Sequence, residues 1–285
     1  MNIQKEVHKS FSQSDIKSFE PEMKVGLLAT VNEDVLPHIT LLSSLSASSP
    51  SELVFGQFSE GLSKVNVRRD PKVGFLILTL DRNIWRGKAS FTHTEKSGRE
   101  FDYFNNMPMF RYNSYFGIHT VYYFKLMEQY GKQPLPMGSI IQAAIKTLLA
   151  KAFSSNKGKA EVLNLWTRRL MDKMSNLKFL AYIAEDGYPV IIPVIQAQTS
   201  GTENIIFAES VFKEEIRAIP PGATIALFCM SFDMEDVLVR GTYLGVQRIG
   251  GVQCGKISVN WVYSPMPPKP QQIYPEIELE AITNF

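Results

Sequence analysis

Ser59, Ser63 and Lys64 are the residues of this chain best suited to hold an anion. They lie in Phe58-Ser59-Glu60-Gly61-Leu62-Ser63-Lys64-Val65-Asn66-Val67-Arg68-Arg69-Asp70-Pro71, directly after the strand-like run Leu53 to Gln57. Leu62, Val65 and Arg69 fit one face of a short helix that Asp70-Pro71 ends. The serines therefore fall near its start. Two hydroxyls, the unpaired N–H groups of the first turn and the Lys64 ammonium would converge on one spot, as a phosphate requires. The same residues also suit a solvated basic helix with ordinary serine caps. Composition alone favours the solvated helix.

Other chemistries have less to build on. Gly250-Gly251-Val252-Gln253-Cys254-Gly255-Lys256 nearly repeats a phosphate-binding loop. However, Ile257 stands where the magnesium-binding hydroxyl belongs, and a strand rather than a helix follows. A glycine-rich turn between strands accounts for it. His8, His38, His93 and His119 are scattered, and Cys229 and Cys254 form no metal-spaced pair, so no metal site is specified. There is no Gly-x-Ser-x-Gly elbow to anchor a serine hydrolase.

The 285 residues suffice for about two domains, and 45% hydrophobic residues supply a sizeable core. A net charge of +2 gives no reason to expect nucleic acid or an acidic membrane as partner. The two cysteines suit a reducing compartment. The first residues, Met1 to Glu6, have no apolar signal core, and the longest strongly apolar run, Val73 to Leu80, is too short to span a bilayer. The expected location is cytoplasmic.

The elements that must position Ser63 and Lys64 are strands. Val25 to Val31, the turn Asn32-Glu33-Asp34 and Pro37 to Leu42 read as a hairpin; Glu52 to Gln57, Lys72 to Leu80, Ile84 to Phe91 and a run within His119 to Tyr130 read as further strands. Between Thr92 and His119 lies an aromatic-dense segment, read as core rather than interface. From 138 to 176 the period changes. Ile140, Ile141, Ala144, Ile145, Leu148 and Leu149 share one helix face, and Val162, Leu163, Trp166, Leu170 and Met174 repeat the pattern. This predicts a helical hairpin whose apolar stripes pack on a barrel rather than on a membrane. Residues 264–275 are proline-rich and should run extended over the surface.

After the helices the strands return in the same order. Leu28 to Pro37 resembles Leu180 to Pro189, 152 positions later, and Leu53-Val54-Phe55 keeps that spacing to Ile205-Ile206-Phe207. Arg86-Gly87 recurs as Arg240-Gly241 at a spacing of 154, and Tyr123 to Tyr130 resembles Lys256 to Tyr263. Each match alone is weak. Their common order implies an internal duplication, whose copies could pack as a pseudo-dimer within one chain. A further homodimer is compatible with this reading.

The order strand, Ser63-Lys64, Asn66-Val67-Arg68-Arg69-Asp70-Pro71, buried strand Val73 to Leu78, then Arg86-Gly87-Lys88-Ala89 resembles the pyridoxamine 5′-phosphate oxidase-like FMN-binding split-barrel superfamily. Asp34 to Thr40 resembles that family's first hairpin. The resemblance covers about residues 20–130 well and 178–265 more weakly. It implies a mainly β chain with helices: two six-stranded Greek-key split barrels joined by a helical hairpin. The segments would be a first barrel at 20–135, a helical linker at 136–177, a second barrel at 178–265 and a tail at 266–285.

The resemblance further implies FMN bound with its phosphate held by Ser63, Lys64, Gln57, Ser59 and Thr40, and approached from the other side by Trp85 and Arg86. The second copy departs at this point. Ala208-Glu209-Ser210-Val211-Phe212-Lys213-Glu214-Glu215 puts Lys213 near the Lys64 position but surrounds it with acids, so its site should be degenerate. The expected function is an FMN-dependent oxidoreductase that takes electrons from NAD(P)H, its small-molecule redox substrate undefined. The alternatives are a non-catalytic flavin- or haem-binding protein, a deazaflavin-binding protein, or a scaffold that has lost its cofactor.

Overall fold

The computed structural model describes residues 6–21, 23–57, 61–108, 117–154, 160–209, 211–266 and 270–277. It is mainly β, with two eight-stranded antiparallel sheets and six helices among the described residues. The chain divides into two compact units: 1–137 together with 181–192, and 138–180 together with 193–285.

The first sheet contains β1 (Lys24–Val31), β2 (Pro37–Leu41), β3 (Ser46–Ser49), β4 (Glu52–Gln57), β5 (Lys72–Thr79), β6 (Asn83–Glu95), β7 (Thr120–Gln129) and β8 (Gln133–Pro134). Its strand order is β2-β1-β5-β6-β7-β4-β3, with β8 paired to β6. The two ends of that path, β2 and β3, are joined by residues 42–45 alone. The Leu42 N–H donates to the Gly26 carbonyl at 2.7 Å, and the Leu45 N–H donates to the Leu42 carbonyl at 3.0 Å. So β2 and β3 form one bent strand, and the path closes on itself as the expected six-stranded barrel. Leu28, Phe75, Trp85, Phe55, Tyr122 and Phe124 fill the interior.

The second sheet repeats this plan. Its strands are β9 (Leu177–Ile183), β10 (Pro189–Pro193), β11 (Gln198–Ser200), β12 (Asn204–Ala208), β13 (Thr224–Met230), β14 (Asp236–Ile249), β15 (Val252–Ser264) and β16 (Gln271–Tyr274). The order β10-β9-β13-β14-β15-β12-β11 matches the first, strand for strand. The Val194 and Ala197 amides repeat the bend, donating to Lys178 and Val194 carbonyls at 2.9 and 2.8 Å. The proline-rich tail is more than an extended cover, because β16 pairs with β15.

The Arg-Gly repeat has a steric cause. A Cβ on Gly87 would overlap the Glu128 carbonyl oxygen, and one on Gly241 would overlap that of Ser258. Both glycines sit beside irregularities of the ladder, between Lys88 and Ala89 and between Arg240 and Gly241. There the neighbouring strand crosses too closely for a side chain.

Among the described residues six helices accompany the sheets: α1 (Gln13–Ser18), α2 (Leu62–Arg69), α3 (Arg99–Asn106), α4 (Met137–Phe153), α5 (Leu165–Asp172) and α6 (Lys213–Arg217). Helix α3 and its surroundings cover the outer face of β4 and β7, where Phe104 and Met107 join Val54, Ile118, Val121 and Tyr123 in a buried cluster. This part of the aromatic segment is core, although Tyr103 is exposed. Met109, Phe110, Tyr112, Tyr115 and Phe116 lie outside the described residues.

The expected stripe of α4 is corrected by the structure. Ile140 and Ala144 are buried, but with Ala143, Thr147 and Ala150; Ile141, Ile145, Leu148 and Leu149 are exposed. The small residues let the helix approach closely enough for the Ala208 N–H to donate to Thr147 Oγ1 at 3.0 Å. Large apolar residues at helical spacing marked the outer face instead. In and before α5 the expectation holds better, with Val162, Leu163 and Leu170 buried and Met174 exposed.

Asp236, at the start of β14, is pushed up to about 7 by burial. Its Oδ1 has no hydrogen-bond partner among the described residues. The folded state therefore binds this proton more tightly than the unfolded chain, whose aspartates titrate near pH 4. Stability contributed by the neutral acid is lost as pH rises through about 7. Asp236→Asn should raise unfolding stability at pH 8 by on the order of 2 kcal/mol, with the difference vanishing toward pH 4. Urea unfolding at both values checks this; a gain that does not depend on pH would contradict it. In the same assay Gly87→Ala and Gly241→Ala should each cost about 1–3 kcal/mol. Gly138→Ala meets no atom within 4 Å and should be neutral or stabilising.

Candidate functional site

One end of the first barrel is covered by α2. The helix begins at Gly61, an N-cap in extended conformation that supplies no side-chain hydrogen bond. Among the described residues its first amides therefore lack the usual serine or aspartate cap. The Asn-x-Arg-Arg-Asp-Pro element fixes the helix to the barrel. Asn66 Nδ2 donates to Thr30 Oγ1 at 3.0 Å, Val67 enters the core, and an Arg68 guanidinium N–H donates to the Tyr122 hydroxyl at 2.9 Å. Arg69 pairs with Glu33 at 2.7 Å on the exposed surface, where such a bridge contributes little. The Lys72 N–H donates to Asp70 Oδ1 at 3.0 Å, linking the helix end to β5.

Ser63 and Lys64 occupy the start of this anchored helix. Ser63 is fully buried, and its Oγ has no hydrogen-bond partner among the described residues. Lys64 is 5% exposed. Its ammonium folds back over the helix start, 3.4 Å from where a Cβ on Gly61 would stand. Gln57 is buried at the end of β4, paired with Thr120 of β7. These three expected residues share one end of the barrel. Ser59 lies outside the described residues.

The other expected residues lie elsewhere. Thr40 pairs with Leu28, two positions farther along β2 from the helix-covered end than His38, which pairs with Thr30. Trp85 is an interior residue near the opposite end, its ring edge-on to Phe19 and its indole N–H donating to Asp15 Oδ1 at 2.8 Å. Arg86 is buried, on the outer face, where an Nη1–H donates to the Ile191 carbonyl at 3.2 Å. Alternation along β6 explains the split, since consecutive strand residues face opposite sides. Lys88, next on the outer face, bridges Asp186 at 2.6 Å and Glu128 at 3.0 Å.

Two residues at the α2 end were not singled out from sequence. His38 is 4% exposed and Thr30 is fully buried. Their signal was the two-residue alternation with Thr40 and Leu28, readable only once the β1–β2 register is known.

The second copy ends differently. Glu209 takes the place that Gln57 has in the first, 152 positions earlier. Arg217 grips its carboxylate through two N–H groups, at 2.7 and 2.5 Å. Helix α6 spans five residues and starts from Phe212 in left-handed conformation, φ 52°. A buried carboxylate with its own arginine takes the position of a neutral amide. Among the described residues, no group of three His, Cys, Asp or Glu is arranged to hold a metal, and no helix is long and apolar enough to cross a membrane.

No protein-family model matches the chain, and no curated protein matches it. Several solved structures are similar to it. An FMN-binding protein from Syntrophomonas wolfei subsp. wolfei is 16% identical over 42% of this chain and 84% of its own, with a TM-score of 0.36. A pyridoxamine 5′-phosphate oxidase candidate from Lactobacillus delbrueckii is 18% identical over 44% of this chain and 96% of its own, TM-score 0.34. An F420 reductase is 12% identical over 42% of this chain and 98% of its own, TM-score 0.34. Each of these three is matched by less than half of this chain.

Proposed function

We propose that the first barrel binds FMN by its phosphate at the start of α2, and that the chain is an FMN-dependent oxidoreductase accepting electrons from NAD(P)H. One observation carries the reading: a fully buried Ser63 Oγ without a partner among the described residues, followed in the first turn by Lys64, whose ammonium lies over Gly61, an N-cap that supplies no side-chain bond. A buried hydroxyl of this kind costs about 1–3 kcal/mol when left unpaired. A phosphate oxygen would relieve that cost, and the helix start and Lys64 would balance its charge. Gln57 adds an amide at the same end without adding negative charge. The bound flavin would supply the redox chemistry, and these residues its position and electrostatics.

The second barrel acts as a partner without cofactor. Its Glu209–Arg217 pair and five-residue helix offer no comparable anion site. A deazaflavin would present a phosphate to the same three residues, so the absorption spectrum of freshly purified protein separates the readings. FMN gives bands near roughly 370 and 450 nm, haem a Soret band, and a scaffold neither.

Two substitutions test the site. Lys64→Ala should weaken FMN binding by about 1.5–3 kcal/mol, roughly tenfold to more than a hundredfold. Ser63→Ala should also weaken it, yet leave the cofactor-free protein as stable or more so, because it removes an unsatisfied hydroxyl. Lys213→Ala should change little. Fluorescence titration of FMN and urea unfolding of the apoprotein read these effects. Equal losses at Lys64 and Lys213 would mean that both barrels bind the cofactor, and no loss at either would remove the phosphate site from α2.

A further inference from the structure

Helix α4 is apolar on both sides. Ile140, Ala143, Ala144, Thr147 and Ala150 are buried against the second unit. On the opposite side Ile141, Ile145, Leu148, Leu149 and Phe153 are 56%, 55%, 43%, 54% and 71% exposed. A helix that is hydrophobic all round is ordinarily buried all round. A contiguous exposed stripe of this kind marks a contact surface.

Three properties of the stripe select its occupant. The first is spacing. Ile141, Ile145, Leu149 and Phe153 form one ridge of residues four apart, evenly placed about residue 147. Turned end for end, the ridge matches itself: Ile141 meets the partner's Phe153, and Ile145 meets the partner's Leu149. Ridges of this type interlock at a crossing angle of about −50°. A two-fold interface needs such self-complementarity.

The second property is area. Side chains of this size and exposure leave on the order of 100 Å² each uncovered, so two copies would bury roughly 1,000 Å², about where stable interfaces begin. The third is charge. The helix has no acidic residue and two lysines, of which Lys151 is held by Asp172 at 2.6 Å. It lacks the basic rim of a helix that lies on anionic lipid. Lys146, at the edge of the stripe, would lay its stem over the partner's Leu148 and keep its ammonium in water.

We propose that two copies of this chain form a homodimer through antiparallel pairing of their α4 helices along Ile141, Ile145, Leu148, Leu149 and Phe153. Sedimentation velocity of the full chain at micromolar concentration should give twice the chain mass. Ile145→Glu with Leu149→Glu should sediment at the single-chain mass while keeping the wild-type circular dichroism and a single cooperative urea transition. The geometry has its own test in otherwise intact protein. Ile145→Cys with Leu149→Cys should form a covalent dimer under mild oxidation, and Ile145→Cys alone should not. Both native cysteines are buried and do not compete. Wild-type protein at the single-chain mass, a dimer that survives the double glutamate variant, or equal cross-linking of the single cysteine variant would each overturn the proposal. So would a single-chain species that co-sediments with phosphatidylserine vesicles, which would assign the stripe to lipid.

Discussion

The first barrel closes because one bent strand serves both ends of the sheet. Here that strand is β2 with β3, bent at residues 42–45 and secured by the Leu42 and Leu45 amides. Gly26 makes the bend possible, since a Cβ there would overlap the Leu42 carbonyl oxygen and crowd Leu45. With the ring closed, the ends of β1, β4 and β7 meet at one mouth, and the chain leaving β4 must cross it. Helix α2 makes that crossing, which places Ser63 and Lys64 at the mouth beside Gln57. The candidate site is a consequence of closure.

The second copy reaches the same closure with different residues. Lys178 replaces Gly26, and Ala197 replaces Leu45, 152 positions later in each case. The smaller Ala197 leaves room for a side chain at 178. Burial pulls the Lys178 ammonium below its ordinary pKa, and it donates to the Lys173 and Ile195 carbonyls at 3.1 and 3.2 Å. Two further exchanges mark the divergence. Gly56, whose N–H donates to Ser44 Oγ at 3.1 Å, becomes Ala208, whose N–H donates to Thr147 of α4. Gln57 becomes Glu209 with Arg217. The fold tolerates these changes because each keeps buried polar groups satisfied or charge-balanced. The changes at 209 and 217 also fill the mouth with the protein's own ion pair.

Much of this was legible in the residues. The matched spacing of Leu28 with Leu180 and of Arg86 with Arg240 predicts two barrels of one topology, and the strand orders agree. The shift of spacing between β5 and β6 reflects a longer turn before β14. What failed to show is sidedness. Periodicity reveals that α4 has apolar faces, but not which one meets the barrel; the alanines and Thr147 decided it by allowing close approach. Trp85 and Arg86 are adjacent in sequence, so only one could face the interior, and the register gave that place to Trp85. His38 gained its position at the mouth through pairing with Thr30, a contact that no local pattern specifies.

The proposed site makes the two copies of one fold unequal, with an anion site at the start of α2 and none in the second barrel. Cofactor stoichiometry tests it most directly. Titrating the cofactor-free full chain with FMN and following quenching of flavin fluorescence should give an end point of one FMN per chain. An end point of two would mean that the Glu209–Arg217 barrel also binds, and no saturable quenching would mean that neither barrel does.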